Sequence, residues 1–160
     1  MATVRLDVAL TVRDLEPSDL ADLDWAGSPQ HIRALATALE RSYADEVELV
    51  LIMLGNGLSI AVGAVDFDKR TDSGELWMLS VRGEWQSLGV GTILINELEA
   101  RIRRRGLNKA TLGVEHDNAR AEALYRRLGY RRTGTELDGW PIGPGRQYAT
   151  VTFLMTRELP

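Results

Sequence analysis

Apolar and polar positions change period several times along the chain, and each change marks an element. VALTVRDL alternates residue by residue and predicts a first strand. PSDLADLDWAG follows, with a Pro near its start and acidic residues that suit a helix N-terminus. SPQHIRALATALERSYADE predicts a second helix, with Ile32, Leu35, Leu39 and Tyr43 on one stripe. VELVLIML and LSIAVGAVDFD predict two strands joined by Gly-Asn-Gly, a hairpin signal. After the turn-rich DKRTDSG, ELWMLSVR predicts another strand. TILINELEARIRRRG reads as a helix: Leu94, Leu98 and Ile102 recur at helical spacing, and Gly106 supplies the stop. KATLGVEH predicts a strand, and DNARAEALYRRLG a helix capped by Asp117 or Asn118 and ended by Gly129. YRRTGTEL and QYATVTFLMTREL predict the last two strands, with the Pro- and Gly-rich DGWPIGPGR between them.

The order is strand, two helices, three strands, helix, strand, helix, two strands. It predicts an α/β (α+β) layer around one sheet, not a doubly wound parallel sheet. A length of 160 residues and 44% hydrophobic content fit one domain with a real core, taken as residues 1–160. Charges interrupt MATVRLDVALTVRD before any apolar run forms, which argues against a signal peptide, and no stretch is long enough to span a bilayer. The chain has no cysteine, so thiolate metal sites and disulfides are excluded. A cytoplasmic location is the expectation. His31 and His116 cannot alone make a usual zinc site, and no metal is expected. A net charge of −4 speaks against general nucleic-acid binding.

The segment QSLGVGT, residues 86–92, stands between a strand and a helix. A helix that begins there presents unpaired N–H groups and the positive end of its dipole, where phosphates bind well. Gly89 and Gly91 would let a phosphate reach the backbone without meeting a Cβ. A lone Gly-x-Gly serves equally well as a tight turn. No Lys-Ser/Thr follows the second glycine, so this is not a P-loop, and Leu94 stands where a dinucleotide fingerprint has its third glycine.

The pattern Gln-x-x-Gly-x-Gly, followed about thirty residues later by NARAEALYRRLGY, resembles the GNAT superfamily of N-acetyltransferases. The resemblance runs from about Glu75 to Tyr130, roughly a third of the chain. It implies a single-domain GNAT fold, with a central mixed, mostly antiparallel sheet of about seven strands flanked by about four helices. It implies acetyl-coenzyme A as co-substrate. Gln86, Leu88, Gly89, Val90, Gly91 and Thr92 would hold the pyrophosphate, mostly through backbone N–H groups. Leu79 and Val81 would pair strand-fashion with the pantetheine amides, and one of their N–H groups would polarise the thioester carbonyl. That pairing asks the strand to splay from KATLGVEH, usually by a bulge.

Asn118 matches the family's Asn near the cofactor arm, or serves as a simple helix cap. Arg126 or Arg127 is placed to meet the nucleotide's 3′-phosphate, and Arg127 stands where the family often has a basic residue. Tyr125 lies at the edge of the Ala121, Leu124, Leu128 stripe, where a core tyrosine would also sit. In the family's LY-x-x-LG-aromatic segment this hydroxyl faces the departing thiolate. A tyrosine titrates near 10 and a thiol near 8.5, so full proton transfer is uphill by about 2 kcal/mol. Hydrogen-bond stabilisation is therefore the expected role. An alkylammonium is neutral in only about one part in a thousand at pH 7, so a base, or a water held by a carboxylate, would help the acceptor. Glu75 is the first candidate and Glu115 the second, with Glu84 and His116 behind them.

Arg101, Arg103, Arg104 and Arg105 end their helix near its negative pole and read as a solvated face. Asp19, Asp22, Asp24, Trp25, Glu40, Tyr43, Asp45, Glu46, Asp138 and Trp140 supply acidic and aromatic groups suited to a cationic acceptor, on a peptide or a small molecule. A non-catalytic coenzyme A-binding module is the alternative reading. Late strands leave a homodimer open.

Overall fold

Apolar strands need partners on both edges, and the sheet supplies them. In the computed structural model, which describes residues Met1–Pro160, seven strands form one sheet. They are β1 (Leu10–Asp14), β2 (Val47–Leu54), β3 (Ser59–Asp66), β4 (Gly74–Val81), β5 (Lys109–Glu115), β6 (Arg131–Gly143) and β7 (Arg146–Glu158). Their spatial order is β1-β2-β3-β4-β5-β7-β6. Every neighbouring pair is antiparallel except β4 and β5, which run parallel. The sheet is thus mixed and mostly antiparallel, as expected. β3 is buried along its whole length, which explains why SIAVGAV shows no clean alternation.

Helices cover both faces. On one face lies α1 (Pro29–Ser42), started by Ser28, whose Oγ accepts the N–H of His31, and by Pro29 in the first turn. It buries Leu35, Ala38 and Leu39 against Leu49, Leu51, Val62 and Ala64. Tyr43 falls past its last turn and is exposed, so the predicted stripe stops one residue short. On the opposite face α2 (Val90–Arg104) buries Leu94, Ile95, Leu98 and Ile102 against Leu76, Leu112 and Val114. The shorter α3 (Ala119–Arg127) packs Ala121, Leu124 and Tyr125 onto the same core.

Three features differ from the sequence expectation. PSDLADLDWAG is not an α-helix but two 3-10 turns, Pro17–Asp22 and Asp24–Ala26. So few residues before the Gly27-Ser28-Pro29 break give α-helical cooperativity little to act on. The segment DGWPIGPGR is mostly strand, because β6 and β7 continue as a long hairpin that turns only at residues 144–145. Pro141 is tolerated there since β6 is an edge strand. Arg101 is not on a solvated face: its side chain is 9% exposed and pairs with Asp14, Glu48 and Glu97. It joins α2 to the β1–β2 edge, a junction that only the three-dimensional packing brings together. No helix is long and apolar enough to cross a membrane.

Candidate active site

The site begins where two parallel strands part. β4 and β5 pair only over Gly74–Leu76 and Ala110–Leu112. Beyond that, β4 bulges: its register with β3 slips between Val62 and Ala64, and Met78 takes a φ of 54°. That value is rare for a residue with a side chain, so the bulge carries real backbone strain. The extra residue turns the end of β4 away from β5 and leaves the edge of Leu79–Val81 without a strand partner on that side. Gly63, opposite the bulge, leaves room for the Leu79 side chain, since a Cβ there would come within 2.8 Å of it.

A helix start closes the open end of this fork. α2 is the one helix of the three with no side-chain cap: Ser28 caps α1 and Asn118 caps α3, while Gly89 precedes α2 with φ 88°. The N–H groups of Val90, Gly91 and Thr92 have no acceptor within the chain. They point the positive end of a 15-residue helix at the groove mouth. Three orphan donors at a glycine-flanked helix start form a ready anion site.

The groove itself, about 420 Å³, is lined by Leu79, Val81, Gln86, Gly89, Gly91 and Thr92 on one side and by Asn118, Leu124, Tyr125 and Arg127 on the other. These residues come from β4, its following loop, α2 and α3, so the fold gathers most of the sequence candidates into one cleft. Tyr125 is half-buried, and its hydroxyl makes no hydrogen bond within the chain. Burial holds its pKa above the ordinary tyrosine value. Asn118 caps α3, its Oδ1 accepting the N–H of Ala121 at 3.2 Å, and it also lines the groove. Arg127 makes no ion pair, whereas Arg126 beside it is held by Glu122.

Other candidates lie differently. The Gln86 amide donates to the Val81 carbonyl at 3.0 Å, so this side chain ties the loop to the end of β4. Leu88 is exposed and Val90 is buried in the core; neither side chain lines the groove. Ser87 and Arg120, which the sequence reading passed over, do line it. Arg120 donates to Ser87 Oγ, linking the start of α3 to the glycine loop. No local pattern marks that pair, because the two residues meet only when α3 packs beside the fork.

The opposite face of the fork carries the carboxylates. Leu76, Leu112 and Val114 point into the core under α2, so Glu75, Trp77, Gly113 and Glu115 point the other way. Glu75 is buried at the closed end and bonded to Lys69 at 2.7 Å and Arg70 at 3.2 Å. Arg70 also reaches Glu136 on β6 at 2.8 Å. Glu115 lies at the open end, half-buried, with no ion pair. Glu84 and His116 are exposed. Trp77 Nε1, and Thr111 Oγ1 directly beside Glu75 in the β4–β5 register, are buried without a hydrogen-bond partner. Of the acidic and aromatic residues expected toward an acceptor, Asp19 is bonded twice to Arg13, and Trp140 stacks against Tyr148 at 4.8 Å.

The sequence model of the Acetyltransferase (GNAT) family matches residues 18–130, more than half of the chain. The chain belongs to this family. As a GNAT acetyltransferase it is an acyl-coenzyme A-dependent N-acetyltransferase in the general sense. The [Ribosomal protein bS18]-alanine N-acetyltransferase of Escherichia coli strain K12 is 27% identical over 152 residues, covering 90% of this chain and 96% of the relative. Among solved structures, the ribosomal-protein-S18-alanine N-acetyltransferase from Escherichia coli aligns with a TM-score of 0.74 at 22% identity, covering 94% of each chain. The PaiA N-acetyltransferase from Thermoplasma acidophilum, solved with coenzyme A, aligns with a TM-score of 0.69 at 16% identity, covering 94% of this chain and 99% of that one. At these identities the solved structures speak for the fold, which this GNAT chain shares over nearly its full length.

Proposed function

We propose that this enzyme moves an acetyl group from acetyl-coenzyme A to a primary amine by direct attack on the thioester. The observation that carries the reading is the uncapped start of α2 facing a groove that also holds an unbonded tyrosine hydroxyl. The orphan N–H groups of residues 90–92 would take the diphosphate, with Ser87 and Arg120 at its flank. Arg127, free of any carboxylate, suits the nucleotide's 3′-phosphate. The free edge of Leu79–Val81 would pair with the pantetheine amides. Acetyl-coenzyme A supplies an activated carbonyl and a thiolate leaving group.

The acceptor approaches from the other face, through the fork. Glu115 is the carboxylate proposed to take the ammonium proton, directly or through water, in preference to Glu75. Glu75 is committed to two cations at the end where β4 and β5 remain paired, whereas Glu115 is unpaired at the end where they part. The amine nitrogen forms its bond to the carbonyl carbon as the carbon–sulfur bond breaks, and the proton the new amide nitrogen must lose goes to the departing thiolate, which leaves as the thiol. Tyr125 donates a hydrogen bond to the departing sulfur.

A peptide amine is the acceptor we favour. The Trp77 N–H is buried on the acceptor face without a partner and would be satisfied by a carbonyl of a peptide acceptor. The Escherichia coli relative, a ribosomal-protein-alanine N-acetyltransferase, agrees with that chemistry. Thiol release across a panel of alanine-started peptides, free amino acids and polyamines tests it. Faster turnover on peptides is expected, together with a loss of about a hundredfold or more in Glu115→Gln and a much smaller loss in Glu75→Gln. Equal rates for polyamines and peptides would contradict the acceptor class, and an unimpaired Glu115→Gln enzyme would remove Glu115 from the mechanism.

A further inference from the structure

Behind Tyr125 lies a buried polar cluster that the reaction as drawn above does not use. Glu99, on α2, is 1% exposed, and Tyr130, just after α3, is 3% exposed. The Tyr130 hydroxyl donates to Glu99 Oε2 at 2.7 Å. Arg157 of β7 donates to both oxygens of Glu99, at 2.8 and 3.0 Å. Its side chain crosses directly over Gly129, where a Cβ would come within 3.2 Å of Arg157 Nε, and where φ is 98°. Three elements thus converge on one buried carboxylate. A buried ion pair is weak as a stabilising device, because desolvation offsets most of its attraction. A phenylalanine at 130 beside an apolar residue at 99 would fill the same space. The cluster therefore calls for a reason beyond stability.

The geometry around Tyr125 supplies one. The Tyr125 hydroxyl has no hydrogen-bond partner, so nothing polar fixes where it points in the groove. Its ring does have a fixed neighbour: it meets the Tyr130 ring edge-on, with centroids 6.2 Å apart and planes at 63°. Its carbonyl also accepts the Tyr130 N–H at 3.0 Å. Tyr130 is therefore bound to Tyr125 by backbone and by ring, and its own hydroxyl is pinned from the far side.

We propose that Glu99 and Arg157 hold the Tyr130 ring as a stop against which the Tyr125 ring seats, so that Tyr130 and Glu99 are positioning residues for the Tyr125 hydroxyl. The inference rests on the proposed role of Tyr125. Neither Tyr130 nor Glu99 lines the groove, so both act through Tyr125 alone.

Steady-state kinetics of Tyr130→Phe, Tyr125→Phe and the double variant test this, with a thermal melt of each. Tyr130→Phe is expected to lower kcat about tenfold with KM for acetyl-coenzyme A unchanged, since a small misplacement costs the chemical step rather than binding. In the Tyr125→Phe background the same change should cost nothing further, because there is no hydroxyl left to aim. Glu99→Gln, which keeps an acceptor for the Tyr130 hydroxyl, should retain most of the rate. If Tyr130→Phe unfolds because Glu99 loses its hydroxyl donor, Glu99→Leu combined with Tyr130→Phe removes the buried carboxylate and leaves the partly exposed Arg157 to water; it should fold and should show the same tenfold loss. A Tyr130→Phe or Glu99→Leu/Tyr130→Phe enzyme with the parent kcat, beside a slow Tyr125→Phe, would overturn the positioning role and leave the mechanism standing. Losses that multiply in the double variant would overturn it too. A Tyr125→Phe enzyme as fast as the parent would instead remove Tyr125 from the mechanism, and this inference with it.

Discussion

Tyr125 shows how much a single side chain depends on its setting. Only the protonated phenol can donate to a departing sulfur, and burial raises its pKa above the ordinary 10.0. The donor therefore persists through the whole range in which an exposed tyrosine would begin to ionise. With a saturating substrate, any tyrosine-like alkaline loss of kcat should be centred above pH 10.0. A fall in kcat centred at or below that value in the parent, absent from Tyr125→Phe, would contradict the assignment. Tyr125→Phe should itself lower kcat by about ten- to a hundredfold and leave coenzyme A affinity unchanged, as expected for loss of one transition-state hydrogen bond. The motif made Tyr125 legible in the sequence. Arg120 and Ser87 were not legible, because they are partners only across the packed α3 and loop. The proposed preference for Glu115 over Glu75 rests on the bonds of Glu75 to Lys69 and Arg70, which no local pattern shows; the resemblance asked for a bulge in β4, but no glycine or proline marks its place at Met78.

At the scale of elements, α2 carries stability and, in the proposed function, binding, and the two can be separated at Gly91. A Cβ there would meet only Leu124 and Val81, at 3.7 and 3.8 Å, which is ordinary contact. Alanine in a helical position is favoured over glycine by about 0.5–1 kcal/mol. Gly91→Ala should therefore melt at the same temperature as the parent or slightly higher, yet bind coenzyme A at least tenfold more weakly, because the methyl stands where a phosphate must approach the backbone. A thermal melt beside a binding titration checks both halves; loss of stability together with affinity would assign Gly91 to packing instead. The helix itself was readable from Leu94, Leu98 and Ile102. Its true start at Val90 was not, since the glycine that precedes it replaces a side-chain cap instead of supplying one.

At the scale of the molecule, the sheet separates the two proposed half-sites and the fork joins them. Ion pairs tie its outer parts together. Burial alone would raise the Asp66 carboxyl, but bonds from Arg41 and from the N–H groups of Asp68 and Lys69 bring it below the ordinary 3.8. The Arg13 bonds do the same for Asp19. A carboxylate lowered in the folded state contributes stability that is present above 3.8 and lost as pH falls through its folded value. The melting temperature should thus fall steadily once pH drops toward and below 3.8, and Asp66→Asn should start lower at neutral pH and fall less; an equal fall in both proteins would exclude Asp66 as a contributor. The strand and helix order was legible almost throughout, because each element buries one face and leaves its period in the sequence. The long β6–β7 hairpin escaped, since an edge strand tolerates the Pro141 and glycines that read as a loop.

The central claim is that the bare amides at the start of α2 receive a diphosphate. Titration calorimetry of the parent with coenzyme A addresses it most directly. The account predicts saturable binding with a stoichiometry of one per chain, weakened at least tenfold in Gly91→Ala and competed by acetyl-coenzyme A. Absence of heat and of competition up to about millimolar ligand, the weak limit for a specific site, would contradict it.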